Sequence, residues 1–341
     1  MHGKVLIIGP NFFGYNESIC RAFRQNGFDT QVAAYNEPVH PFDTRNRVLH
    51  KLFPSWKQLY EQGQRLFAEE AKRRFEAFRP DLVFIYNGDL LEKETIRFFR
   101  KRAKVAVWML DGAFLHPRSL AIAPEADVYF CFERSDAGKL QRLGIDARFL
   151  PQGYDPAIYH PLPGTEKDID ILFVGALYRY PERIRLLTAL AGRWADRYRI
   201  RVYGRYKPFE KNPLKWLLRE QRSVFLNRNV PPAEVNRLYN RAKVCINIHH
   251  AQSADGANPK VFEICGAGAY QVVDANPFIE ETYDASEAGI YHNDREFLEK
   301  IETALTTDVS AAALAAHRKA AASHTFECRI REALRTLGYR E

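Results

Sequence analysis

The stretch from Ala254 to Asp274, ADGANPKVFEICGAGAYQVVD, concentrates residue types that can hold an anion. Asn258 followed by Pro259 fits a helix N-cap with proline at the first helical position, so backbone N–H groups and the positive dipole end face whatever precedes the helix. A diphosphate suits such a start. Gly256 would let backbone approach it closely, and Lys260 adds a point charge one residue into the helix. Glu263 stands one turn further on, among Val261, Phe262, Ile264 and Cys265. A carboxylate buried there is costly without hydrogen-bond donors, and the paired hydroxyls of a ribose would supply two. A solvated helix edge is the alternative. Asp255 lies eight positions before Glu263.

Cationic residues follow the apolar run IDILFVG at Ile169–Gly175: Arg179 and Arg183 come directly after it, and Arg205 follows Gly204. A solvated basic face is the alternative for any one of these arginines; only Arg179 and Arg183 are raised by their position after a strand end, since ligands of open α/β sheets gather at the carboxyl ends of strands. Between Tyr178 and Arg228 fourteen Lys or Arg stand against four Asp or Glu, a local excess larger than that of the whole chain. Gly9 and Asn11, in the loop after the first apolar run, could bring backbone near a substrate or simply make a tight turn. That loop has neither G-x-G-x-x-G nor the Lys-Ser/Thr of a P-loop, so dehydrogenase and ATPase readings gain no support. Asp111, after VAVWML, is placed at a strand end, where it could orient or deprotonate an acceptor hydroxyl or cap a turn. His249 and His250 have no third ligand at suitable spacing for zinc, and the Asp168-Ile169-Asp170 triplet opens a strand as edge charges do. No metal and no cofactor are expected.

The elements that must position these residues alternate. KVLIIG at Lys4–Gly9, Thr30–Tyr35, DLVFIY at Asp81–Tyr86, Val105–Leu110 and Asp127–Cys131 read as buried strands, separated by helical spacing at 17–26, 56–78, 92–102 and 135–143. Leu150–Lys167, with four prolines, has no period and reads as a linker. A second cycle then runs through strands at 169–175, 200–204, 244–249 and 270–273, with helices from 181, 231 and 259 and further helices to the end. The pattern predicts an α/β protein of two Rossmann-like lobes with parallel sheets facing across a cleft. We expect lobes over 1–155 and 156–325, and a C-terminal helix over 326–341 that packs back on the first lobe.

With 341 residues, 46% hydrophobic and 27% charged, disorder and collagen-like architectures are excluded as the main state. No segment supplies the roughly 18 apolar residues of a membrane span. Met1–Tyr15 lacks the features of a signal peptide, and five scattered cysteines read as buried thiols, so the cytoplasm is the expected compartment. The net charge of +8 implies an anionic partner. FEKNPLKWLLREQRSVF at Phe209–Phe225 could rest peripherally on the inner face of an anionic membrane, or be a buried amphipathic helix.

The segments NPKVFEICGAGAYQVVD, DILFVGALYRYPERIRLLTAL and LPQGYDPAIYHP resemble the CgeB-like (spore maturation protein) glycosyltransferases, two-lobed GT-B enzymes related to the group 1 glycosyltransferases. The resemblance covers most of residues 160–340, and the first lobe only by layout. It implies a hexosyltransferase whose partners are a nucleotide-diphosphate sugar donor and a glycan, lipid-linked or protein acceptor. It implies that Glu263 binds the donor ribose and that Asp255 occupies the place of the acid contacting the transferred sugar, although many relatives have Glu there. Gly256-Ala257-Asn258 replaces the usual Gly-Phe-Gly. Arg179, Arg183, Arg205, Asn258 and Lys260 would neutralise the leaving diphosphate without a metal. The spacing resembles that of retaining enzymes, while Asp111 as base of an inverting displacement stays open. A nucleotide-sugar epimerase of the same layout, or a non-enzymatic nucleic-acid binder, is the alternative; the basic run carries no nucleic-acid recognition motif.

Overall fold

The computed structural model describes residues 3–11, 13–35, 56–177, 180–206, 223–250 and 253–339. It divides into two compact units, Met1–Gln152 together with Phe326–Glu341, and Gly153–Thr325.

The first unit contains β1 (Gly3–Pro10), α1 (Tyr15–Gln25), β2 (Phe28–Tyr35), α2 (Trp56–Phe78), β3 (Leu82–Tyr86), α3 (Lys93–Arg100), β4 (Lys104–Trp108), α4 (Pro117–Ile122), β5 (Val128–Cys131), α5 (Arg134–Arg142) and β6 (Ala147–Phe149). Its strands form one parallel sheet in the order β2-β1-β3-β4-β5-β6. Successive side chains of β1 point to opposite faces, and both faces are covered. Val5 and Ile7 pack with Ile19 and Phe23 of α1, while Leu6 and Ile8 pack with Phe67 and Phe75 of α2. This explains why KVLIIG is a continuous apolar run, and each such fully buried side chain contributes roughly 1.5–3 kcal/mol.

The second unit contains β7 (Ile169–Val174), α6 (Pro181–Trp194), β8 (Ile200–Tyr203), α7 (Pro232–Arg241), β9 (Ala242–Asn247), α8 (Pro259–Gly266), β10 (Gln271–Asp274), α9 (Pro277–Thr282), β11 (Gly289–Tyr291), α10 (Asp294–Thr306) and α11 (Ser310–Ser323). The sheet is again parallel, in the order β11-β10-β9-β7-β8. Ile171 and Phe173 share a core with Leu187, Leu190 and Trp194 of α6 and with Phe297 and Ile301 of α10. Gly204, at φ +152°, crosses the end of β7 so tightly that a Cβ there would stand 2.0 Å from the Gly175 carbonyl oxygen. The last helix, α12 (Phe326–Thr336), belongs to the first unit, where Phe326, Ile330 and Leu334 join the core beside α1.

Several boundaries differ from expectation. β4 stops at Trp108, so Asp111 lies three residues beyond the strand, in the bend before a 3₁₀ turn at Ala113–Leu115. β9 ends at Asn247 and places His249 and His250 in the following loop. β6 and β11 were not expected as strands; with three residues each they are too short to show a period. The sequence Phe209–Phe225 lies mostly outside the described residues, as does Arg179. Among the described residues no helix is long and apolar enough to cross a membrane.

Candidate functional site

In the second sheet the chain reverses direction of growth between β7 and β9, and the crevice outside the carboxyl ends at such a switch point is where doubly wound sheets bind ligands. Arg183, near the start of α6, sits there. Its Nε donates to the Ile248 carbonyl at 2.8 Å and its Nη1 to the Ala176 carbonyl at 2.9 Å, so one buried guanidinium ties together the loops that leave β9 and β7. The same guanidinium lies 4.4 Å from the centroid of Tyr180, whose ring stacks on His250 at 5.8 Å and 23°. Arg183 was expected as a phosphate ligand; the structure gives it a structural task at the same place. Arg205 is exposed just past Gly204, at the end of β8.

His249 organises the next layer. Its side chain is 1% exposed, and Asp274 Oδ1 at the end of β10 receives both its backbone N–H, at 2.9 Å, and its Nδ1, at 2.8 Å. Nε2 of the ring accepts the Asn258 backbone N–H at 3.2 Å, which requires a lone pair on Nε2 and therefore the neutral tautomer protonated on Nδ1. Burial disfavours the Asp274 charge, yet with two hydrogen bonds from His249 converging on Oδ1 the carboxyl stays below its ordinary range.

Asn258 is the N-cap of α8 with extended backbone, but its side chain does not cap the helix. It forms a reciprocal amide pair with Asn247: Nδ2 of Asn258 donates to Oδ1 of Asn247 at 3.0 Å, and the return bond is 3.2 Å. The expected anion site at this helix start is thereby narrower than the sequence suggests, because the Asn258 amide is turned to His249. Gly256, buried in the preceding loop, accepts Asn276 Nδ2 at 3.0 Å, and Asp255 is half-buried in the bend before it.

Glu263 lies inside α8 at 3% exposure. Its Oε2 is buried and has no hydrogen-bond partner among the described residues, and Lys260 Nζ, one turn back, stands 3.6 Å away. Burial pushes the Glu263 carboxyl up from its ordinary value, with Lys260 and Tyr159 opposing part of that rise. The solvated-edge alternative for Glu263 is thus excluded.

Gly9, Asn11 and Asp111 belong to the first unit. Gly9 is buried where a Cβ would meet Asn16 Oδ1 at 2.8 Å, and the Asn11 N–H donates to the Tyr35 carbonyl at 3.0 Å. Asp111, partly buried, adds negative potential at His116. Sequence reading missed the group around it. Asn87, at φ +78°, donates from Nδ2 to Asp89 Oδ2 at 2.9 Å, and the same oxygen meets His116 Nδ1 at 2.7 Å. That hydrogen bond raises the His116 pKa against the opposing effect of burial. The Asp168-x-Asp170 pair is consumed by cations at the amino edge of the second sheet: Arg241 holds Asp168 through two bonds of 2.7 and 2.5 Å, and Lys243 holds Asp170 at 2.7 Å.

The solved structures with the same arrangement decide the fold. Sucrose-phosphate synthase from Thermosynechococcus elongatus superimposes with a TM-score of 0.68 at 14% identity, over 97% of this chain and 98% of that one. The chain has the GT-B fold. The Anabaena protein HepE, solved in complex with UDP-glucose, matches with a TM-score of 0.64 at 12% identity over 99% and 100% of the two chains. The UDP-forming α,α-trehalose-phosphate synthase from Burkholderia vietnamiensis gives 0.61 at 12% over 98% and 100%. Residues 182–335 match the family model described as "Glycosyl transferase-like", a segment that holds the whole Asp255–Glu263 cluster of this GT-B chain. No curated protein matches the sequence.

Proposed function

We propose that the protein is a hexosyltransferase that moves a sugar from a nucleotide-diphosphate sugar to an acceptor hydroxyl, with the donor held by the second unit and the acceptor by the first. The observation that carries this reading is Glu263: a carboxylate 3% exposed, with a buried oxygen lacking a partner among the described residues, in the helix that starts at the carboxyl edge of the second sheet. A buried acceptor atom without a donor is costly, and a ribose hydroxyl repairs it. The family match over residues 182–335 and the UDP-glucose in the HepE structure support the same substrate class.

In this reading Lys260 meets the diphosphate, and Asp255, eight positions before Glu263, meets the hydroxyls of the transferred sugar. Charge developing on the leaving diphosphate is stabilised by cations rather than by a metal, with Arg179 and Arg205 as the further candidates. The acid spacing favours retention of configuration, in which the departing phosphate assists the incoming hydroxyl on the same face.

A thermal-shift panel of UDP-glucose, ADP-glucose, GDP-mannose and related donors tests the proposal. One donor is expected to stabilise the wild type, and Glu263→Ala is expected to abolish most of that shift. A donor shift unchanged in Glu263→Ala removes Glu263 from the ribose site, and the absence of any donor shift in the wild type rejects the function.

A further inference from the structure

The loop from β9 to α8 is fastened by a side chain that the function so far leaves unused. His249 is buried to 1% exposure, its two ring nitrogens have different partners, and those partners come from different elements. On one side Asp274, at the end of β10, takes Nδ1 at 2.8 Å. On the other the Asn258 amide, at the start of α8, reaches Nε2 at 3.2 Å. The Asn258 side chain is meanwhile locked to Asn247 in β9. The start of α8 is thus fixed from two strands at once, and the carboxylate of Glu263 is carried on the next turn of that helix.

We infer that His249 is a positioning residue for the donor. As a neutral, Asp274-oriented acceptor it fixes the Asn258 amide and, through it, the rotation and depth of α8, which set where Glu263 and Lys260 meet the nucleotide. This rests on the proposed nucleotide-sugar site. The two ring bonds separate by geometry. An asparagine at 249 keeps a donor near the Nδ1 position for Asp274 and offers nothing to Asn258; a glutamine places an amide oxygen near the Nε2 position and keeps the bond to Asn258. If His249 were only a stabilising buried residue, both replacements would damage the protein alike and leave donor recognition in the folded fraction unchanged.

The experiment compares wild type, His249→Asn and His249→Gln in donor affinity by titration calorimetry and in KM and kcat for slow donor hydrolysis, using the nucleotide sugar selected by the panel above. His249→Asn is expected to raise Kd and KM at least about tenfold with kcat within about threefold, the pattern of lost uniform binding, while His249→Gln stays within about threefold in all three. Equal losses in both variants, or unchanged Kd in His249→Asn, overturn the inference. If the wild type binds no nucleotide sugar, the functional reading fails instead. Should His249→Asn fail to fold, amide hydrogen exchange at Asn258 decides: protection in wild type and His249→Gln supports the assignment, and a freely exchanging Asn258 amide in the wild type overturns it.

Discussion

Lys260 Nζ lies 3.6 Å from Glu263 Oε2, beyond hydrogen-bond distance but close enough for its charge to lower the cost of ionising a carboxyl that burial pushes upward. A buried charge without full hydrogen bonding weakens the fold, which suits the donor-binding role proposed for the pair better than a stabilising contact.

Glu263→Gln is therefore expected to stabilise the protein while removing donor binding. The folded-state pKa of Glu263 is raised, so its contribution to stability is fully present below the unfolded value and is lost as pH rises through the folded one. The gain from the glutamine is largest at pH 7–8 and shrinks toward pH 4. If neutralisation recovers about 1 kcal/mol, the melting temperature rises by roughly 2–4 °C. Thermal melts of both proteins across that pH range check it; a glutamine variant less stable at pH 8 contradicts it.

The His116–Asp89 contact gives a pH dependence of the same sign from a different group. Its hydrogen bond to Asp89 raises the His116 pKa, so the stability it supplies is present below the unfolded histidine value and fades as pH climbs through the folded value. Asp89→Asn should cost stability near pH 5 and converge on the wild type by pH 9. Denaturant titrations at the two pH values measure the gap, and a gap that grows toward alkaline pH is the contrary result.

Gly204→Ala is expected to be severely destabilising, by about 3 kcal/mol or more. The φ of +152° disfavours any side chain, and the new Cβ would stand 2.0 Å from the carbonyl oxygen of Gly175, a backbone atom that cannot swing aside. Urea unfolding gives the number. Gly144→Ala, where the new Cβ would meet no described heavy atom within 4 Å beyond its chain neighbours, controls for positive φ (+78°) without the clash.

Tyr86→Phe should cost about 1–2 kcal/mol, because the Tyr86 hydroxyl donates to Gln152 Oε1 at 2.9 Å inside the first unit and its loss leaves a buried acceptor bare. Gln152 is itself anchored to the Met109 carbonyl at 2.7 Å and cannot turn to water. Equilibrium unfolding of the variant measures the loss; a difference within a few tenths of a kcal/mol contradicts it.

Thiol chemistry should be confined to one position. Burial pushes Cys131, Cys245 and Cys265 up to about 12 and raises Cys20 as well, whereas Cys328 is half-buried. Native protein at pH 8 is expected to react rapidly with a thiol reagent only at Cys328, and mass spectrometry of the labelled peptides identifies the site.

How much of this was legible beforehand differs by residue. DLVFIY and KVLIIG announced themselves because a parallel strand buried on both faces must be apolar throughout. Asn258-Pro259 marked the start of α8 because capping and proline at the first turn are local preferences. β6 and β11 escaped notice because three residues leave no period to read. Asp111 was set at a strand end because VAVWML is apolar past the point where pairing stops at Trp108. His116 attracted no attention, since Asp89 lies 27 positions away and nothing in the intervening sequence records that they meet.

The sequence by itself determined the alternation of strands and helices, the helix start before Lys260 and the apolar company of Glu263, all consequences of short-range backbone preference and hydrophobic spacing. Only the tertiary structure decided that Glu263 is buried, that Arg183 clasps two loop carbonyls, and that His249 joins Asp274 to Asn258. Those facts depend on strand order: β9 pairs with both β7 and β10. Which strands become neighbours is set by the burial energy of the whole sheet, and no local run of residues carries that sum.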